Sequence, residues 1–204
     1  MLDWIDTCWN LFARSSDRII WNLFLAFIPL VLSYYLFRPL AIRNLVWWLL
    51  LVVFAAFLPN APYILTDSIH IIELSQQNYP LWAIVLVLIP QYTMFITVGF
   101  VAYVICLIRL DNYIDNLVAK QYLSSIDGFV HLLCVVGIYL GRFERFNSWD
   151  LVTKPREVIA IAIRDLLDPG TLFSIAIAFL AIWLLSELIK LVNSSFVLNN
   201  SKHD

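Results

Sequence analysis

Five stretches of the chain contain no Asp, Glu, Lys or Arg: residues 19–37, 44–66, 74–108, 128–141 and 169–186. No other feature limits the fold so strongly, because a helix needs about 20 apolar residues, or about 17 at the short end, to cross the hydrocarbon core of a bilayer. The composition agrees. At 62% hydrophobic and 14% charged, with a mean hydropathy of +0.83, the chain departs far from the roughly 45–50% apolar and about 25% charged of soluble domains. The expected class is all-α, a polytopic transmembrane helical bundle of five spans with short interfacial amphipathic helices.

The spans are placed near residues 19–37, 42–58, 82–108, 122–141 and 171–191. The third is long enough to tilt and to bend near Pro90. The second and fourth reach spanning length only by borrowing flanking residues, and the fourth borrows Asp127 with them. Residues 1–18 do not read as a cleavable signal, since Asp3, Asp6 and Asp17 stand where a basic start would be. Trp4, Cys8, Leu11 and Phe12 instead share one helical face, which predicts an interfacial helix. Residues 19–191 then form a single membrane domain, and residues 192–204 a polar tail in which His203 is given no role. The longest loop, 142–168, is too short to fold alone.

Cys8, Cys106 and Cys134 have no metal or redox spacing and read as small core residues. No cofactor is expected. A net charge of −2 without a basic stripe gives no sign of nucleic acid. Trp21, Trp47, Trp48 and Trp82 fall near the starts of spans, where an amphipathic ring suits the headgroup region. Basic residues divide almost evenly between the two sides of the bundle. The loop after the second span carries Asp67 and Glu73 without a basic residue, which favours placing it outside, at the cost of exporting Arg142, Arg145, Lys154, Arg156 and Arg164 in a later loop.

Two crossings separate those two loops, so both face one side. The first contains LPNAPYILTDSIH, residues 58–70. Pro59 and Pro62 fix φ and remove two backbone donors, so Leu58 ends regular helix geometry and Asn60 sits in a tight turn. A short interfacial helix should follow, with Leu65, Ile69 and Ile72 on its apolar face and Thr66, His70, Glu73 and Gln77 on its polar one. The second motif is GRFERFNSWDLVTKPRE, residues 141–157. Thr153 is expected to cap a helix with Pro155 in its first turn. That helix would show Val158, Ile159 and Ala162 to lipid or core, and Glu157, Arg164, Asp165 and Asp168 to water.

PNAPYILTD with its following His70, and GRFERFNSWD, resemble the bacterial membrane family catalogued as domain of unknown function 1361, over most of the chain. The resemblance implies a multi-pass protein of the bacterial cytoplasmic membrane with no assigned activity. The motif positions it carries over are Pro59, Asn60, Ala61, Pro62, Tyr63, Thr66, Asp67 and His70, then Gly141, Arg142, Phe143, Arg145, Asn147, Ser148, Trp149 and Asp150. Glu144 departs from the pattern, which has an apolar residue there.

Chemically, Asp67 and His70 are the candidates for an acid–base pair, with Glu73 one turn further on. A zinc motif would need a second histidine one turn away, and none is present, so no metal site is assigned. Arg142 and Arg145 suit a phosphate, which a guanidinium can hold by two parallel hydrogen bonds. Arg142 could equally pair with Asp67 or Asp150 and tie the loops together. Asn60, Tyr63, Glu73, Asn147, Trp149 and Asp150 complete the expected binding surface.

Three readings are open. The first is a lipid- or partner-binding structural protein with a polar cap built from residues 59–73 and 141–150, in contact with membrane lipids and with a second copy or another membrane protein as a possible partner. An enzyme acting on a lipid-linked or envelope phosphate substrate is the alternative, and a small transporter comes third, with only the Gln91 region to offer a polar path.

Overall fold

The structure, a computed structural model, describes residues 3–39, 42–77, 79–115, 117 and 120–200. His203 lies outside the described residues. Among those residues the chain is helical and five runs are long and apolar enough to cross a membrane. The architecture is the all-α polytopic bundle that the charge-free runs imply.

The first run is one helix, α1 (Asp3–Leu36). It does not divide at Arg18 into an interfacial piece and a span, because the sequence around Asp17–Ile19 offers no Gly or Pro to stop it. The second run begins with α2 (Leu45–Phe57), where Asn44 Oδ1 accepts the Trp47 backbone N–H at 2.9 Å as an N-cap. It continues through α3 (Asn60–Tyr63), a 3₁₀ turn (Ile64–Ser68) and α4 (Ile69–Ser75). The third comprises α5 (Leu81–Ala83), a π-helical stretch (Ile84–Leu88) and α6 (Ile89–Asp115). Pro90 has no N–H to give the carbonyl four residues back, and the irregularity expected there takes the form of this π stretch. The fourth run, α7 (Leu123–Arg142), includes Asp127. Then come α8 (Asp150–Thr153), α9 (Pro155–Leu166) and the last long helix, α10 (Pro169–Asn200).

α6 is the central helix and buries Tyr92, Phe95, Phe100, Tyr103 and Leu107 among others. α1 packs on α6 and α2, while α7 and α10 pack on each other and on α6. Two polar levels bracket this apolar body. At one, Arg43 Nε donates to the Tyr113 hydroxyl (2.9 Å), Arg109 stacks on Tyr34, and Lys190 Nζ donates to both Asp111 and Asp127 at 3.0 Å. Lys190 thereby joins α6, α7 and α10. At the other level stand Arg18, Asp67, His70, Glu73 and Arg142. Counted along α1 from Arg18 to Tyr34, the levels are ~24 Å apart, and along α7 from Asp127 to Arg142 ~22 Å. That fits a core of about 30 Å once long side chains reach outward.

α2, with 13 residues, rises only ~20 Å. The chain then runs on between α6 and α7: Pro59 lies on Gly137 of α7, Tyr63 beside Gly141, and Ile64 against Gly99 of α6. A Cβ on Gly137 would stand 2.7 Å from two ring carbons of Pro59, and one on Gly99 would overlap the Ile64 side chain. These two glycines make room for the crossing. Gly128, also on α7, faces open space. Gly137→Ala should therefore destabilise the protein by about 1–3 kcal/mol through overpacking. Gly128→Ala should be neutral or slightly stabilising through helix propensity. Thermal unfolding of the two variants in the same detergent checks both.

Candidate functional site

The 3₁₀ turn decides where Asp67 points. Residues three apart eclipse in this winding, so Asp67 follows Ile64 into the protein, and Ile64, Asp67 and Leu74 are buried. The face anticipated from α-helical spacing is thus rotated: Ile69 and Ile72 are 45% and 57% exposed, while Asp67 is only 3% exposed. A carboxylate so placed needs partners to offset its lost hydration. Asn22 Nδ2 of α1 donates to Oδ2 at 2.5 Å, and His70 Nε2 and Arg142 Nη1 lie 3.8 and 3.7 Å from Oδ1. On its other side, His70 Nδ1 is 2.6 Å from Glu73 Oε2 and 3.0 Å from Arg18 Nη1. Two carboxylates thus share one network with two guanidiniums, and the imidazole sits between them.

The second motif closes over this network from the end of α7. Arg145 takes a left-handed backbone conformation, φ 58°, which costs a non-glycine residue roughly 1–3 kcal/mol. It is held there by Phe146 N–H donating to Leu140 O (3.1 Å) and by Asp150, whose Oδ2 accepts the Asn147 backbone N–H at 2.7 Å. That backbone bond, helped by the Asn147 side chain, holds the Asp150 carboxyl below the ordinary carboxylate range. Asp150 therefore shapes the loop and does not pair with Arg142. Ser148 Oγ accepts from Asn60 Nδ2 at 2.8 Å, joining the two motifs directly.

Two expectations for the following segment are corrected. Thr153 does not cap α9; its hydroxyl bonds back to Trp149 O, and Lys154, with φ −137° and ψ 47°, makes the break that sets Pro155 at the helix start. Asp165 is buried against Arg164 and does not face water. Glu144 lies 3.6 Å from the same Arg164.

Between α1, α2–α3, α7 and the loop of residues 145–152 lies a cavity of about 700 Å³. Leu25, Val52, Ala56 and Val136 line its deeper part, and Asn60, Arg145, Asn147, Ser148 and Trp149 its mouth. Of the motif residues singled out in the sequence, Pro59, Asn60, Tyr63, Gly141, Arg145, Asn147, Ser148 and Trp149 line this cavity. Asp67, His70, Glu73 and Arg142 form the neighbouring network. Asn22 belongs to both, since it lines the cavity and bonds Asp67. Sequence reasoning passed over Asn22; its one signal was an isolated amide in the charge-free run 19–37.

His131 stands at the opposite polar level, fully buried, with its ring nitrogens on Asp127 O and the Ser186 hydroxyl. Gln91 bonds Ser15, Ser16 and Phe12 O, and so fastens α6 to α1. Among the described residues, no group of three His, Cys, Asp or Glu side chains is placed to hold a metal ion.

The family described as Protein of unknown function (DUF1361) matches residues 21–185. The chain belongs to that family. The matched DUF1361 region contains both motifs and every residue named above as lining the cavity. The chain matches no curated protein and no solved structure.

Removing one partner of a buried ion pair leaves the other uncompensated and costs about 3–5 kcal/mol. Asp67→Ala, which strands the partly buried Arg142, should fall toward that range. Glu73→Gln, at a side chain 55% exposed, should stay within about 0.5 kcal/mol. Unfolding midpoints of the two purified variants measure the difference.

Proposed function

We propose that the protein is a multi-pass protein of the cell membrane that binds an amphiphile of the bilayer in the cleft between α1, α2–α3 and α7, under the cap formed by residues 59–73 and 141–150. One observation carries this reading: the lining changes with depth. Below the crossing of residues 58–64 the walls are aliphatic, and at the level of Arg18 and Arg142 amide, hydroxyl, indole and guanidinium groups join the apolar side chains of Phe146, Leu151, Val152 and Val158. A molecule with an alkyl body and a polar end matches that order. Inside a membrane the aliphatic walls offer a chain little that neighbouring lipid does not. Selection then falls to the polar mouth, which explains why so much hydrogen bonding is devoted to the shape of one loop.

A catalytic role on a lipid-linked or envelope phosphate substrate has one observation in its favour, the bond through which Asn22 connects the cavity to Asp67 and His70. With Asp67 3% exposed and engaged by Asn22 and Arg142, however, this carboxylate acts on neighbouring side chains. It is a positioning residue of the cap, and binding is the function the geometry supports best.

The test is to extract the protein from its membrane with a small patch of native lipid, exchange it into mild detergent, and weigh the intact complex by native mass spectrometry. One retained lipid per chain is expected, and Ala56→Trp, which fills the aliphatic part of the cleft, should remove it. Absence of retained lipid, or retention that Ala56→Trp leaves unchanged, contradicts the proposal.

A further inference from the structure

We infer that the occupant of the cleft is a lipid with a net-anionic phosphate headgroup, seated on Arg145 and admitted from the side between α2 and α7. The inference rests on the cleft reading above and specifies its ligand. Arg145 is the only charged residue among those lining the cavity. Of the other arginines near this level, Arg142 faces Asp67, Arg18 faces His70 and Arg164 faces Glu144 and Asp165, and none of these, nor Arg14 or Arg156, lines the cavity. Among the described residues Arg145 has neither an ion pair nor a hydrogen bond. Its strained backbone is nevertheless fixed from both sides, by Phe146 on Leu140 and by Asp150 on Asn147. The loop thus holds the backbone of Arg145 beside an otherwise uncharged cavity, whose lining includes that residue.

The neighbouring groups extend the same preference. Ser148 Oγ already accepts from Asn60, which leaves its own proton to donate, and the Asn147 amide lies beside it in the lining. A guanidinium with a hydroxyl close by suits phosphate oxygens, which take paired hydrogen bonds from arginine. No carboxylate lines the cavity, so the ammonium of a zwitterionic headgroup finds no counter-charge there. The aliphatic depth of the cavity gives nothing to a free phosphate ion, and this points to a lipid as the source.

The route follows from packing. α2 packs on α1, and α7 on α10 and α6, whereas α2 and α7 make little contact with each other. The Pro59–Gly137 contact closes the gap at the level of the crossing. Beneath it, Val52 and Leu133 line the cavity and are 65% and 48% exposed. A chain can therefore slide in from the bilayer without leaving hydrocarbon.

The experiment places the purified protein in mixed micelles with equal amounts of phosphatidylglycerol and phosphatidylcholine and counts the retained lipid by native mass spectrometry. Wild type should keep phosphatidylglycerol over phosphatidylcholine by about tenfold or more, the scale of one charge-assisted hydrogen bond. Arg145→Gln should still retain a lipid but at a ratio near one, and Arg145→Lys should keep part of the preference. Arg145→Gly relaxes the left-handed backbone, so it should lose the preference while unfolding at a higher temperature, which separates charge from strain. A preference unchanged in Arg145→Gln overturns the headgroup assignment and leaves the cleft reading intact. No retained lipid in any variant overturns both. If millimolar inorganic phosphate displaces phosphatidylglycerol from wild type and raises its unfolding temperature in an Arg145-dependent way, the ligand is a soluble anion and the lipid assignment fails.

Discussion

A backbone that leaves helical geometry inside hydrocarbon has to find protein partners for its N–H and C=O groups, because lipid supplies none. At residues 58–64 Leu58, Pro59, Tyr63 and Ile64 keep right-handed helical dihedrals while the regular bonding pattern is interrupted, and the groups freed there find partners within the segment. Leu58 N–H still reaches Phe54 O (2.8 Å), Ala61 N–H reaches Leu58 O (3.2 Å) and Tyr63 N–H reaches Pro59 O (3.0 Å). Pro59 and Pro62 remove two donors that would otherwise need acceptors. Gly99 and Gly137 let the segment pass between α6 and α7 with its side chains in contact on both sides.

The crossing fixes what happens next along the chain. Its exit into a 3₁₀ turn rotates Asp67 inward, where the carboxylate gathers Asn22, His70 and Arg142 from α1, α4 and α7. Arg142 is thereby committed to holding α7 against the corner, and only three residues later Arg145 is left free. The two arginines thus differ: Arg142 pairs with Asp67, and Arg145 lines the cavity. The same corner forms the roof of the cavity, so the network that stabilises the bend also sets the level at which aliphatic lining gives way to polar lining.

Much of this was legible in the sequence. Charge-free length identified the five runs, and counting crossings placed the two polar motifs on one side, where Asn60 and Ser148 meet. What escaped had specific physical causes. The unity of α1 was hidden because the shared face of Trp4, Cys8, Leu11 and Phe12 suggested a separate interfacial helix, although nothing between it and Ile19 breaks the helix. The exposure of Ile69 and Ile72 was missed because α-helical periodicity was applied to a segment that begins as a 3₁₀ turn and so advances its side chains differently. Arg142 was left between a phosphate and a pairing with Asp67 or Asp150, and the structure gives it Asp67; sequence proximity could not show that Arg145, three residues on, lines the cavity instead. Asn22 was passed over because a single amide in an apolar run does not reveal its partner, 45 residues later in the chain.

The central claim is that the corner and the loop after α7 build one site, with Asn60 and Ser148 in contact. The direct measurement is to place cysteines at Asn60 and Ser148, in a chain lacking Cys8, Cys106 and Cys134, and to treat native membranes with a short bifunctional thiol reagent. Rapid intramolecular cross-linking of this pair, and none when Ser148 is exchanged for Ser124 at the far end of α7, is the predicted result. If each cysteine reacts singly with a thiol reagent while the pair fails to cross-link, the two motifs do not form one site.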